Sequence, residues 1–223
     1  MLASAAEYGE ARMAVLANNL ANVNTPGFKA DQLNFSAVLD EATGTTTVGA
    51  GQYVEFTPGS VETTGNPLDV AIDGDGFFMV DTPDGPRYTR NGSFHLGTDG
   101  MLVTPEGYPV MGSGGPVAIN PDTANVTISP SGEVFEDGTQ VNALSVVTFP
   151  AGVTPTKVGA SLFKATGEIP AEQIRVTQGA LERSNVEAVV EMTRMIEISR
   201  GYEAYQKLIQ AMDQVASQTN SVV

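Results

Sequence analysis

The chain has 223 residues, 41% of them hydrophobic, with a formal charge of −15 and no cysteine. That composition fits a globular protein of one or two domains with enough apolar material for a core. The acidic balance argues against nucleic-acid phosphates or an anionic lipid surface as partner. Lack of thiols excludes disulfides, thiolate metal sites and cysteine nucleophiles.

A helix is predicted from about Ser4 to Asn22, where Ala, Leu, Met and Glu dominate. Leu2, Ala6, Gly9, Met13, Leu16, Leu20 and Val23 recur in steps of four and three, which draws one apolar seam along it. Glu7 and Glu10 interrupt the stretch where a secretory h-region would sit, so no Sec signal is expected. Thr25-Pro26-Gly27 ends the helix, because proline biases the preceding residue out of the helical region. Phe28, Leu33, Phe35, Val38 and Leu39 form an apolar stretch of open conformation. Ala42 to Gly51 is rich in Thr and Gly and is expected to be a flexible link.

From Tyr53 to about Ala180 the pattern is that of short strands. Leu68, Val70 and Ile72 alternate with Asp69, Ala71 and Asp73, which predicts a strand with one buried face. Asp84-Gly85, Asn91-Gly92 and Asp99-Gly100 are hairpin-turn dipeptides. Val126 to Ile128, Gly132 to Phe135 and Ala143 to Phe149 continue a mostly antiparallel domain. Ser184-Asn185 then caps a second helix running to about Ser217. Ile198, Tyr202, Tyr205, Ile209, Met212 and Ala216 repeat the seam there. No apolar run approaches the roughly 18 residues of a membrane span. The expected class is α+β: terminal helices pairing as a coiled coil (residues 1–35 and 184–223) around a central, mostly antiparallel β domain (36–183).

Catalytic signals are weak. His95 is the sole histidine, no G-x-S-x-G elbow accompanies it, and a strand position explains it better. Asp73-Gly74-Asp75-Gly76 lacks the later ligands of a calcium loop, with Phe77, Phe78 and Met79 in their place. Met111 to Pro116 is glycine-rich without the Lys-Ser/Thr of a P-loop, and Asn91-Gly92-Ser93 is a common chance sequon. No catalytic residue, cofactor or metal is expected. The two seams fit either an intramolecular hairpin that completes a monomer or contacts between chains.

The run Ala17-Asn18-Asn19-Leu20-Ala21-Asn22-Val23-Asn24-Thr25-Pro26-Gly27-Phe28-Lys29 resembles the N-terminal signature of flagellar rod and hook proteins, the axial proteins of the bacterial flagellum. Thr64 to Ile72 with Gly74 to Val80, Tyr88 to Phe94, and Gln178 to Val186 with Glu191-Met192-Thr193 and Arg200 resemble later segments of the same family, in the same order. Fewer residues precede the Asn18-Asn19 pair than is usual in that family. The resemblance implies a non-enzymatic rod subunit. Its terminal helices would form an inner coiled-coil layer, with the β domain outside. It also implies other rod proteins and copies of the same chain as partners, with export by the flagellar type III apparatus to a periplasmic rod. The short stretch from Lys29 to Thr64 is closer to the proximal rod protein than to the distal one. Met13, Leu16, Leu20, Val23, Ile198, Tyr202, Tyr205, Ile209 and Met212, with Asn18, Asn19, Asn22 and Asn24 beside them, are the expected assembly interface. The asparagines offer donors and acceptors that fix register between neighbours. The distal rod protein is the alternative within the family. An acidic β-rich enzyme or ligand-binding domain is the alternative outside it.

Overall fold

The computed structural model describes residues 2–40, 45–123, 125–171 and 175–220. Among these residues the fold is α+β, with two helices and otherwise antiparallel strands. It divides into two compact units, each drawn from separated parts of the sequence.

The first unit comprises residues 1–21, 31–55 and 186–223. Helix α1 (Leu2–Ala21) packs along helix α2 (Ala188–Asn220), close enough that a Cβ on Gly9 would lie 4.0 Å from Ile198 Cγ2. Between them in sequence lies a long hairpin of β1 (Asp31–Asp40) and β2 (Thr45–Val54). Its ladder runs without a slip from Asp31 opposite Val54 to Asp40 opposite Thr45. The expected flexible link is therefore a strand over most of its length. Thr45, Thr46, Thr47 and Val48 are β-branched and favour the extended backbone more than the glycines after them disfavour it. Residues 41–44 lie outside the described ones.

α2 also begins later than expected. Its first helical hydrogen bond runs from the Glu191 amide to the Glu187 carbonyl, so Ser184-Asn185 is not its cap. The Asn185 side chain instead accepts the Ala30 amide at 2.7 Å.

The second unit comprises residues 22–30 and 56–185. These ranges differ from a cut at 35/36 and 183/184: the strands after residue 30 go with the helices, while the segment after α1 goes with the β structure. Its largest sheet has six strands, ordered 156–157, 162–164, β6 (Gly85–Thr89), β5 (Phe77–Thr82), 146–148 and 169–170. Pro83-Asp84 turns β5 into β6, with Gly85 at φ +95°. Two further pairs complete the frame: β3 (Val61–Thr63) with 180–182, and β4 (Val70–Asp73) with 175–178. Asp99-Gly100 does turn one short strand, 95–96, into the next, 102–103. Asn91-Gly92 does not make a hairpin. Gly92 passes so close to β4 that a Cβ there would meet the Val70 carbonyl, and its own carbonyl accepts the Val70 amide at 3.0 Å. Val70, Ile72, Phe78, Val80, Phe94, Leu102, Val110, Val117, Val134 and Val176 form the core.

Candidate assembly interface

The asparagine-rich end of α1 is fixed from within the chain. Asn19 is 1% exposed, and its side-chain amide holds the backbone of Asp31 from both ends. Nδ2 donates to the Asp31 carbonyl and Oδ1 accepts the Asp31 amide, each at 2.9 Å. This two-point clamp joins α1 to the first residue of β1. Asn19 thus sets register inside one subunit, and its side chain is already committed there. Leu16 is buried in the same unit at 5% exposure, whereas Met13, Leu20 and Ile198 are half-buried, and Asn18 and Tyr202 are exposed. The side chains of Tyr205, Ile209 and Met212 lie outside the described ones.

Asn22, Val23 and Asn24 fall past the helix and belong to the β unit. The Thr25 amide returns to the Asn22 carbonyl at 3.1 Å, and the Thr25 hydroxyl donates to Asn22 Oδ1 at 3.1 Å. Val23 and Asn24 then border a shallow cleft of about 120 Å³ with Glu62, Thr64 and Arg183. The expected interface residues are therefore split between the helical unit and the root of the β unit.

Behind that root is a charged junction that neither periodicity nor motif reading anticipates. Gly27 takes φ +66° and packs face to face with the Arg90 carbonyl, where a Cβ would come within 2.4 Å of backbone atoms. Its amide donates to the Glu182 carbonyl at 2.8 Å. This close approach delivers Lys29 into the interior, where its side chain is fully buried. Lys29 Nζ bonds Glu182 Oε1 at 2.6 Å and the Thr57 carbonyl at 2.8 Å. Glu182 Oε1 also accepts the Gly59 amide at 2.9 Å, and its Oε2 lies 3.4 Å from Arg90 Nε. Arg90 in turn donates from Nη2 to the Gly74 carbonyl at 2.8 Å and stacks over Phe77. Lys157 closes the outside, with Nζ 3.7 Å above the Phe28 ring and donating to the Lys29 carbonyl at 2.8 Å.

Two buried cations thus share one buried carboxylate. Burial pulls the Lys29 ammonium below its ordinary pKa, and the Glu182 charge works against that shift. Arg90 is lowered for the same reason and is opposed by Glu182, Asp75 and Asp73. Removing the carboxylate that the two cations share leaves uncompensated charge in a poor solvent, at a cost of about 3–5 kcal/mol. The signal in the sequence is a lone charged residue, Lys29 or Arg90, inside an otherwise uncharged signature; Glu182 stands beside Arg183 in its own and is less conspicuous.

Among the described residues no group of three His, Cys, Asp or Glu side chains is placed to hold a metal ion. His95 sits exposed in a two-residue strand. The Asp73–Gly76 segment joins β4 to β5, with Gly74 at φ +110°.

Comparison with known proteins matches three stretches of the chain. Residues 2–29 match the model described as flagella basal body rod protein, residues 71–136 the flagellar hook protein FlgE/F/G D1 domain, and residues 177–222 the flagellar basal body rod FlgEFG protein C-terminal. Each contributes one member of the Lys29–Arg90–Glu182 junction. The flagellar basal-body rod protein FlgF of Caulobacter vibrioides is 36% identical over 221 residues, covering 94% of this chain and 89% of that protein. FlgF of Rhizobium meliloti is 35% identical over 207 residues, covering 87% and 84%. FlgG of Bacillus subtilis is 32% identical over a longer alignment of 243 residues, covering 92% and 91%.

Proposed function

Because the chain belongs to the flagellar basal-body rod protein family, we propose that it is a structural subunit of the bacterial flagellar rod, of the proximal FlgF type, without catalytic activity. The observation that carries this reading is the junction at which the three family segments meet. A subunit that passes torque along a shaft needs the roots of its two terminal helices tied to its body. The Lys29–Glu182 pair, with the Gly27 and Asn185 contacts, joins the segment that follows α1 to the segment that precedes α2 within the β unit.

In this reading α1 and α2 pair as a coiled coil on the inner side of the rod, and the β unit braces the wall. Met13, Leu16, Leu20, Ile198, Tyr202, Tyr205, Ile209 and Met212 serve the helix seam. Asn18, Asn22, Val23 and Asn24 serve contacts near its base. Other axial proteins and copies of this chain are the partners, and the type III export apparatus delivers it to a periplasmic rod. The distal, FlgG-type reading has support in the FlgG relatives. The short connection between Lys29 and Thr64, and the longer alignments that FlgG proteins require, favour the proximal type.

Basal bodies isolated from cells carrying an epitope-tagged chain provide the test. The tag is expected in the rod below the FlgG segment, and deletion of the gene should abolish hook assembly and motility. A tagged chain that stays in the soluble fraction, with normal hooks in the deletion strain, would refute the assignment.

A further inference from the structure

A cleft of about 290 Å³ opens on the β unit beside the charged junction. Its apolar wall is a chain of rings: Phe56 and Phe77 have centroids 5.7 Å apart, and Phe77 and Phe149 5.6 Å. Arg90, Asp75 and Thr148 add polar groups to the lining. An engineered apolar cavity of about 150 Å³ accepts benzene, so this cleft has room for a phenyl ring with a short polar arm. Arg90 is 4% exposed, and most of its guanidinium is engaged. Nε faces Glu182 Oε2, Nη2 donates to the Gly74 carbonyl, and the plane lies over Phe77. Nη1 is the corner left for the cleft; it is buried and has no acceptor. Buried donors as a rule have partners, and the strongest acceptor for a guanidinium is a carboxylate.

The second charge in the cleft has the opposite sign. Asp75 is exposed at the same opening and, after burial and Glu182, is the next influence on the Arg90 pKa. The ion-pair partner of Arg90 is Glu182, so the Asp75 carboxylate remains open to a ligand. A cation and a carboxylate side by side above a wall of rings match a molecule that carries a carboxylate and an ammonium on neighbouring atoms of an apolar body. We propose that the cleft binds a free α-amino acid with an aromatic side chain. The ligand carboxylate accepts from Arg90 Nη1, its ammonium faces Asp75, and its ring packs on Phe56, Phe77 and Phe149. A simple anion leaves Asp75 without a counter-charge, and a simple amine leaves the buried Arg90 donor without an acceptor, which is costly. The site lies wholly within residues 56–185 of the β unit and goes beyond the rod reading without depending on it.

The test is calorimetric titration of the purified full-length chain with L-phenylalanine, hydrocinnamate, which lacks the amine, and phenethylamine, which lacks the carboxylate. Phenylalanine is expected to bind, and each truncated probe to bind about ten-fold more weakly or worse. Val153 stands on the loop that borders the cleft, and Val153→Trp, which fills the space, should abolish binding. Asp75→Asn should reduce phenylalanine to the level of hydrocinnamate and leave hydrocinnamate itself unchanged. Both positions are on the surface side of the cleft, and far-UV circular dichroism checks that each variant is folded. Phenylalanine that fails to bind, that binds no better than either truncated probe, or that binds Val153→Trp as well as the unsubstituted chain overturns the site. None of these results bears on the rod assignment, which is read from the presence of the chain in basal bodies.

Discussion

Replacing Glu182 is expected to damage the protein far more than replacing Lys29, although the two face each other at 2.6 Å. Glu182→Leu leaves Lys29 and Arg90 as two buried cations without their ion-pair partner, side-chain exposures 0% and 3%. One uncompensated buried charge costs about 3–5 kcal/mol. The Gly59 amide also loses its acceptor, which adds about 1–3 kcal/mol. The sum, roughly 4–8 kcal/mol, is comparable with the whole stability of a domain at about 5–15 kcal/mol. Lys29→Met loses the bond to Glu182 Oε1 and one of two donors to the Thr57 carbonyl, but leaves Glu182 paired with Arg90 and bonded to the Gly59 amide, so about 1–3 kcal/mol is expected. The decisive variant is the double. Adding Lys29→Met to Glu182→Leu removes one of two stranded cations, so the double should be more stable than Glu182→Leu alone. Urea unfolding followed by far-UV circular dichroism supplies the three values. If the double is less stable than Glu182→Leu, or Lys29→Met costs as much as Glu182→Leu, the shared-carboxylate account is wrong.

Gly27→Ala should lower stability by more than about 3 kcal/mol, because a positive φ and the Arg90 backbone both oppose a Cβ. At Gly65, also at positive φ but with open space, alanine should cost only about 1 kcal/mol, and thermal melts of the two compare them directly. Asn19→Ala breaks both bonds to Asp31, so hydrogen exchange at the Asp31 amide should speed up by a factor of ten or more, while the same clamp should survive Asn18→Ala. Tyr88 is pushed from 10.0 to about 12, first by burial and then by its hydrogen bond to Glu168. Its folded value lies above the unfolded one, so its contribution is complete below pH 10 and is lost as pH rises from 10 towards 12. That loss amounts to at most roughly 3 kcal/mol. Absorbance at 295 nm should show a phenolate step near pH 12 that Tyr88→Phe removes. A chain trimmed to residues 22–185 should keep its strand signal and a cooperative melt, and loss of the melt would mean that the helices belong to the β unit's core.

Much of the fold was legible because its signals are local. Alternation at Leu68 to Asp73 foretold β4, and Asp99-Gly100 marked a real hairpin turn. The misses have long-range causes. Ala42 to Gly51 looked like a linker because it is rich in Thr and Gly, whereas the partner that makes Thr45 to Gly51 a strand lies in a segment read as of open conformation. Ser184-Asn185 has the composition of a helix cap, yet Asn185 is drawn to Ala30, 155 residues away, by a contact no local window contains. The interface reading had the same limit. Asn19 was expected to fix register between neighbours; within its own chain both ends of its side-chain amide hold Asp31. Lys29, Arg90 and Glu182 each stood inside a recognised segment, and only the folded chain makes them one cluster.

The separation of Lys29 from Glu182 by 153 residues has a consequence for timing. Forming such a contact closes a long loop, whose entropic cost comes before any of its reward. A chain delivered with its N-terminus leading presents the asparagine-rich segment and Lys29 first. It must then wait for nearly the whole β region before Glu182 arrives to receive them. During that interval Lys29 has no carboxylate partner, and the ion pair forms only after most of the β unit has arrived. A chain cut short before residue 182 keeps the Asn19–Asp31 clamp but leaves Lys29 without the carboxylate that balances its charge.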